Sequence, residues 1–298
     1  MRRKVIQIAN STQLVSLPRK WTLKYGVKKG DELEIEEDKN NLKISVPSKN
    51  EGEKELELTI NDSSKFLRRL LFSPYIQGYT QIKVNYKDRK IFDLISNELE
   101  LLMGYEIINQ EHDHCIIKRI ATAMDDDFDN ILDRIFISTK SMINELIDAL
   151  KEEDMDKLNH LVALELTNNK LSYFCLRVLN TKGYKDQIKT NSLYYIILLI
   201  EQIVDDLRDI CLYIPKNKIK VEKPTIELME KNLYYFEFVY RLFKNFNNNL
   251  LVDFNKGIKD LTTDINKRIS KGSKDAITLS YLHKIADNIS HISKEIHY

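Results

Sequence analysis

The sequence predicts a multidomain α+β protein made of three consecutive parts. Residues 1–49 combine a basic segment with short strand-like alternations and turn residues, and residues 54–121 alternate strand and helix patterns. Residues 124–298 show the long amphipathic periodicity of helices, in a chain of 298 residues that has only 8 Gly and 5 Pro. We therefore expect a small β-rich domain, a small α/β sandwich module and a C-terminal all-α bundle.

Composition and charge exclude several classes of protein. The chain is 43% hydrophobic and 31% charged, with a net charge of +1, as in ordinary globular proteins. Its longest apolar run, residues 193–200, is far shorter than the roughly twenty residues that a bilayer span needs, so we expect no membrane insertion. Cys115, Cys175 and Cys211 form no CxxC pair, which argues against a disulfide framework or a zinc ribbon and favours a cytoplasmic location.

The first thirty residues carry eight Arg or Lys and no Asp or Glu. Such a concentrated positive block is typical of a nucleic-acid contact, although basic arms can also be disordered or merely solubilising. The surrounding residues favour a folded segment, since Pro18 suits the first turn of a short helix over residues 19–25 and Gly26 suits its end. Turn residues then lead into predicted strands at 33–35 and 42–46.

A family resemblance is carried by residues 14–21, LVSLPRKW, and residues 26–33, GVKKGDEL. They resemble the SpoVT-AbrB family of swapped-hairpin DNA-binding domains, over about residues 3 to 48. The resemblance implies a β-barrel shared by two chains of a homodimer, with basic side chains facing DNA. Dimerisation agrees with the small size of this segment, because about 45 residues bury too little apolar surface to fold stably by themselves. The spacing of Trp21 favours a core position over base stacking. The DNA contacts implied by position are Arg2, Arg3, Lys4, Arg19, Lys20 and Lys24.

Residues 55–120 have the pattern of a small α/β module. Strands and helices follow one another in the order β-α-β-α-β-β, which predicts helices packed on one face of a sheet. His112, His114 and Cys115 could ligate a metal, but such a short group is more typical of a surface turn. The predicted elements are residues 55–60, 63–73, 81–86, 89–103, 104–109 and 115–120.

Six helices are predicted in the C-terminal part. Residues 199–210 align with residues 281–292 at an offset of 82, with identical Ile203 and Ile285, which indicates two three-helix repeats. The repeats are about residues 124–215 and 224–298, and the helices are 126–153, 155–179, 190–214, 225–246, 250–270 and 274–297.

Rows of carboxylates mark the third helix. Glu201, Asp205 and Asp209 are four residues apart and line one side of it. Like charges at this spacing repel unless a cation, a basic partner or water compensates them. A solvated charged face is the simplest interpretation of the spacing, and a metal ion with oxygen ligands is the alternative. Similar rows on the fifth and sixth helices are Asp260 and Asp264, and His283, Asp287 and His291.

The sequences EQIVD at 201–205 and HKIAD at 283–287 resemble the E-x-I-x-D signature of PhoU proteins, over about residues 124–298. The resemblance implies metal clusters and regulation of phosphate uptake, and the whole arrangement resembles archaeal PhoU-type regulators. The chain departs from this pattern at His283, and at Lys170, whose charge is adverse to a metal. We therefore expect a weak or lost metal site in the first repeat and a better one in the second. The predicted ligands of divalent or ferric ions are Asp260, Asp264, His283, Asp287, Glu201 and Asp205.

The leading functional prediction is a homodimeric, non-enzymatic transcriptional regulator of phosphate uptake. Its N-terminal barrel would bind DNA, and its helical part would sense phosphate status or a partner. The alternative is a PhoU-like adaptor that binds metal and docks on a phosphate transporter or a signalling protein without binding DNA. A metal-dependent hydrolase is disfavoured, because the sequence has no phosphate-binding Gly-rich loop, nucleophile elbow or HExxH motif.

Overall fold

The computed structural model describes residues 2–8, 12–38, 41–46, 54–61, 66–120 and 127–296. Within these residues the chain forms eight β-strands and nine α-helices, which confirms the multidomain α+β class. The chain divides into two compact units, residues 1–53 and 54–298, here called the N-terminal and the C-terminal unit. The predicted helix starts at residues 63 and 126, and the predicted helix end at 297, lie outside the described residues.

The N-terminal unit contains two antiparallel hairpins and one short helix, in the order that the sequence predicts. The hairpins are separate two-stranded sheets, so the described part of one chain does not close a barrel by itself. Gly30 has φ +94°, and Asp31 accepts a hydrogen bond from the backbone N–H of Lys28 at 2.7 Å, which fixes the turn before the second hairpin. The elements are β1 (Ile6–Ile8), β2 (Thr12–Leu14), α1 (Arg19–Lys24), β3 (Glu34–Asp38) and β4 (Asn41–Ser45).

The C-terminal unit begins with a four-stranded sheet and two helices, in the predicted order β-α-β-α-β-β. The strand order is β5-β6-β8-β7, with β5 and β6 parallel and the other neighbours antiparallel. Alternate residues such as Val84 and Ile117 are fully buried, as expected for strands with one covered face. Helix α3 ends before the predicted residue 103. The elements are β5 (Glu55–Ile60), α2 (Leu67–Ile76), β6 (Gln81–Tyr86), α3 (Arg89–Leu99), β7 (Tyr105–Gln110) and β8 (His114–Arg119).

Six long helices complete the C-terminal unit. Helices α4, α5 and α6 contact one another, as do α7, α8 and α9, and α6 packs on α9 while α4 packs on α7. Helix α6 continues through Pro215, past the predicted end at residue 214. No helix in the described ranges has the length and hydropathy needed to cross a bilayer. The helices are α4 (Phe128–Glu152), α5 (Met155–Thr181), α6 (Thr190–Asn217), α7 (Lys223–Lys244), α8 (Asn248–Ser270) and α9 (Ala276–Glu295).

The α/β module is fastened to the bundle where α2 meets α5. Arg177 of α5 is buried, donates Nη1 to the carbonyl of Tyr75 at 2.8 Å, and lies 5.3 and 5.0 Å from the ring centroids of Tyr75 and Tyr105. Asn180 Nδ2 donates to the carbonyl of Ile76 at 3.0 Å. These side chains satisfy carbonyls at the end of α2 that have no partner within the helix. The module and the bundle therefore form one compact unit.

Candidate functional site

The six basic residues predicted to contact DNA all lie at the surface of the N-terminal unit. Three precede β1 and three lie on α1, where Lys20 and Lys24 are one helical turn apart. Lys24 Nζ lies 5.0 Å from the centroid of the Tyr25 ring, and none of the six forms an ion pair with a described residue. Cations without carboxylate partners are available to phosphate groups. The six residues are Arg2, Arg3, Lys4, Arg19, Lys20 and Lys24.

Helix α1 holds three of these cations because its ends are well defined. The carbonyl of Pro18 accepts hydrogen bonds from the N–H groups of Trp21 and Thr22, at 2.9 and 3.0 Å. Gly26 ends the helix at φ +67°, a conformation that glycine adopts without strain. Trp21, expected in the core, is partly buried, and its ring centroid lies 5.5 Å from that of Tyr25.

The N-terminal unit leaves its apolar side chains uncovered. None of its residues with described side chains is buried, and Leu23 and Ile35 are 71% and 63% exposed. So many exposed apolar side chains in one small unit are typical of a surface that another chain covers. The large apolar side chains exposed here are Val5, Ile6, Ile8, Leu14, Val15, Leu23, Tyr25, Ile35 and Leu42.

The carboxylate row on α6 forms a cluster with a single arginine. Arg208 Nη1 donates to Asp205 Oδ1 at 2.6 Å and to Glu165 Oε1 on α5 at 3.2 Å. Its Nη2 donates to Asp209 Oδ1 at 3.0 Å. The fourth carboxyl, that of Glu201, accepts from the hydroxyl of Tyr173 at 3.4 Å. We call Glu165, Glu201, Asp205, Arg208 and Asp209 the α5–α6 acidic cluster.

Burial and like charge raise the pKa values of carboxyls on α6. Burial raises the pKa of Glu201, and the neighbouring Asp205 adds to the shift. Burial also raises the pKa of Asp205, although Arg208 opposes it. The pKa of Asp206 is raised to about 6 by burial, even though Lys284 Nζ on α9 lies 3.7 Å from its Oδ1. Burial and like-charged neighbours destabilise the ionised form of these carboxyls. A cation held beside them therefore lowers the free energy of the charged state.

The predicted ligands of the second three-helix group are not brought together. Asp264 faces α7, where Lys231 Nζ lies 3.3 Å from its Oδ2, and Asp260 lines the same α7–α8 groove. On α9, His283 Nδ1 lies 3.1 Å from Asp287 Oδ2. The other ring nitrogen of His283 lies 3.0 Å from Asn266 Nδ2 of α8. The acidic pair of α8 therefore faces away from the histidine–aspartate pair of α9, and metal binding here stays a prediction.

The rows on α6 and α9 share one open groove. Its volume is about 500 Å³, and it places Asp205 of α6 in the same groove as Asp287 and His291 of α9. Lys284 and Arg208 line it as well, so both signs of charge are present. The groove thus lies between the motifs at residues 201–205 and 283–287, and among the described residues that line it the carboxylates are mixed with cations.

Another set of metal-ligating side chains lies at the hairpin between β7 and β8. Within the described ranges, Glu111, Asp113 and His114 are the group whose ligand atoms all lie within 4.8 Å of one another. Asp113 Oδ1 lies 2.9 Å from His114 Nδ1. Cys115, which the sequence grouped with these histidines, points into the sheet core, and burial raises the pKa of its thiol to about 11. Strand alternation puts Cys115 and His114 on opposite faces, so these two residues do not share one site.

Comparisons with known proteins bear on the N-terminal unit. Residues 6–53 match a family model described as "Antidote-toxin recognition MazE, bacterial antitoxin". The match supports an AbrB/MazE-like swapped-hairpin domain at the N-terminus. A comparison with curated proteins gives no match.

Proposed function

We propose that the chain is a dimeric DNA-binding regulator whose N-terminal unit is the DNA-contacting part. The observation that carries this proposal is the match of residues 6–53 to the MazE family model. Three exposed cations lie on α1 within the matched segment, and three more directly precede it. Phosphate contacts by Lys and Arg supply most of the affinity of such domains for DNA.

Dimerisation follows from the uncovered apolar surface of the N-terminal unit. Its two hairpins remain separate sheets in one chain, and side chains of β1, β2, β3 and β4 stay exposed. A second copy would pair the hairpins and cover this surface, as the swapped-hairpin arrangement implies. Residues 1–53 are too few to bury a stable core alone.

For the C-terminal unit we propose a PhoU-like sensory or docking role in phosphate regulation. Two groups of three mutually packed helices support it, because their third helices, α6 and α9, meet each other and carry the two motifs. A divalent or ferric ion in the second group stays a prediction, and Ser290 takes there, by sequence offset, the position that Arg208 has in the first. A phosphate transporter or signalling protein would be the docking partner.

The second candidate function is an antitoxin-like adaptor. The description of the matched family names toxin recognition, so a protein partner is the ligand that this candidate requires. A preparation that binds a partner protein but no DNA would favour it over the regulator.

The DNA-binding proposal is tested by the double variant Arg19→Ala, Lys20→Ala. Each phosphate contact contributes about −0.9 to the slope of log affinity against log salt, so losing two contacts per chain, or four in the dimer, should flatten the slope by about 3.6 and lower affinity at least about tenfold. Fluorescence anisotropy on mixed-sequence duplex DNA across a salt series measures both. The matched control is Lys256→Ala, Lys259→Ala on the exposed side of α8. Unchanged affinity and slope in the first variant would overturn the proposal.

The phosphate role has a separate test. Genomic DNA bound by the full chain should be mapped in cells grown at high and at low phosphate. Sites at phosphate-uptake genes whose occupancy changes with phosphate are expected. Sites at other genes, or occupancy that does not change with phosphate, would contradict phosphate as the signal. The proposal of a DNA-binding regulator would still stand.

A further inference from the structure

The α5–α6 acidic cluster contains four carboxyls and needs positive charge. Glu165 is 4% exposed, and its Oε1 accepts from both Arg208 and Asn169. An ionised carboxylate buried to this degree is tolerated only when it is paired and hydrogen-bonded. Arg208 therefore supplies the compensating charge, which the spacing of the carboxylates alone left open to a cation, a basic partner or water.

The oxygen atoms that would hold a metal are already in use. Arg208 binds oxygens of Asp205 and Glu165 through one nitrogen, and Asp209 through another, so three of the four carboxyls already share one cation. The family resemblance implies a metal in this part of the bundle, and the residues present do not fit one. An arginine cannot be deprotonated in a protein, so this charge is permanent.

A buried amide points to a latent ligand set at the same place. Asn169 is 2% exposed, donates its Nδ2 to Glu165, and has no hydrogen-bond partner for its Oδ1. A buried acceptor of this kind costs free energy and is free to bind a cation. Together with the carboxylates it completes a set of hard oxygen donors, which suit Mg²⁺ or Mn²⁺.

We propose that Arg208 is a built-in cation that keeps metal out of the first three-helix group, and that its removal converts the α5–α6 acidic cluster into a site for a hard divalent cation. The inference is independent of DNA binding by the N-terminal unit. It makes Arg208 a specificity-determining residue of the bundle. Ser290, the corresponding residue of the second group, carries no charge.

The test is Mn²⁺ binding by the full chain with Arg208→Met, which keeps the length of the side chain and removes its charge. Isothermal titration calorimetry should show one additional Mn²⁺ site in the variant, with an affinity at least about tenfold higher than that of any Mn²⁺ binding by the parent. All proteins carry His114→Ala, so that Glu111, Asp113 and His114 add no background. Arg134→Met, an exposed arginine of α4, is the matched control, and Arg208→Lys should behave like the parent.

A second measurement keeps the proposal testable if Arg208→Met folds poorly. Mn²⁺ should then raise the melting temperature of that variant and leave the parent unchanged, and adding Glu165→Gln should abolish the rise. A purely structural arginine predicts no rescue by Mn²⁺, and this result would overturn the proposal. Binding of Mn²⁺ by the parent that depends on Glu165 would overturn it as well.

Discussion

The two units of the chain bury their apolar side chains to different degrees. In the N-terminal unit, no residue with a described side chain is buried, and Ile35 on β3 is among the exposed ones. In the C-terminal unit, Phe136, Ile203 and Leu282 are fully buried and belong to one continuous core. Apolar side chains of the same types are therefore exposed in the N-terminal unit and buried in the C-terminal unit. This difference indicates that the C-terminal unit buries a core within one chain, and it supports our proposal that a second copy covers the N-terminal unit.

The largest expected effect is in the core of the C-terminal unit. Phe136 stacks on Tyr240 and Phe243, with ring centroids 4.7 and 5.1 Å apart. Phe136→Ala should lower the free energy of unfolding by about 3–5 kcal/mol, because it leaves a cavity among rigid helices. Ile137→Ala, at an exposed neighbouring position, should change it by less than about 0.5 kcal/mol. Urea denaturation followed by circular dichroism checks both, and equal losses would contradict the assigned core.

The next effect concerns association through the N-terminal unit. Ile35→Lys places a charge on the surface that we expect a second copy to cover, so the Kd of the dimer should rise at least about 100-fold, or about 2.7 kcal/mol. Sedimentation equilibrium measures this change. Ile188→Lys is the matched control, since Ile188 is an isolated exposed residue of the C-terminal unit. If both variants associate like the parent, the apolar surface of the N-terminal unit is not the dimer interface.

A smaller effect tests how firmly the α/β module is joined to the bundle. Gly78 has φ +86°, and a Cβ there would collide with the methyl group of Thr181 on α5. Gly272 has a similar φ of +75° and open space around it. Gly272→Ala should lower the free energy of unfolding by about 1 kcal/mol through backbone strain alone. Gly78→Ala should lower it by about 2–3 kcal/mol, because the clash with Thr181 is added to the strain. Chemical denaturation measures both values. Equal losses would show that the contact between the α/β module and α5 rearranges at little cost in free energy.

Local sequence patterns predicted most elements because each depends on residues close in the chain. The periodicity of apolar residues indicated six long helices, and Pro18 and Gly26 bounded α1. The predicted helix end at residue 214 falls just before Pro215, but α6 continues to Asn217, which donates its side-chain Nδ2 to the carbonyl of Tyr213. Proline removes one backbone donor and disfavours a helix without forbidding it.

Contacts between distant residues were not predictable in this way. The pair of Arg208 and Glu165 joins two helices, and the pair of Arg177 and Tyr75 joins the bundle to the module. Spacing along one helix reveals which residues share a face, but not which side chain of another helix meets it. The sequence marked Lys170 as a charge adverse to a metal, whereas the cation that contacts Glu165 in the structure is Arg208.

The smallest effect concerns charge in the buried surface of α6. Burial raises the pKa of Asp206 from 3.8 to about 6, so the folded state holds its proton more tightly than the unfolded state. The stabilisation from this proton is complete below about pH 3.8 and is lost as the pH rises through about 6. The parent should therefore lose unfolding free energy between pH 5 and pH 7, and Asp206→Asn should reduce this loss. The reduction should be less than about 1 kcal/mol, because solvent screens the carboxyl. Asp253→Asn, on an exposed part of α8, is the control. The ion pair with Lys284 forms only when Asp206 is ionised, so its contribution is already part of the raised pKa. Urea denaturation at both pH values measures the slope, and an unchanged slope would contradict the assigned burial of Asp206.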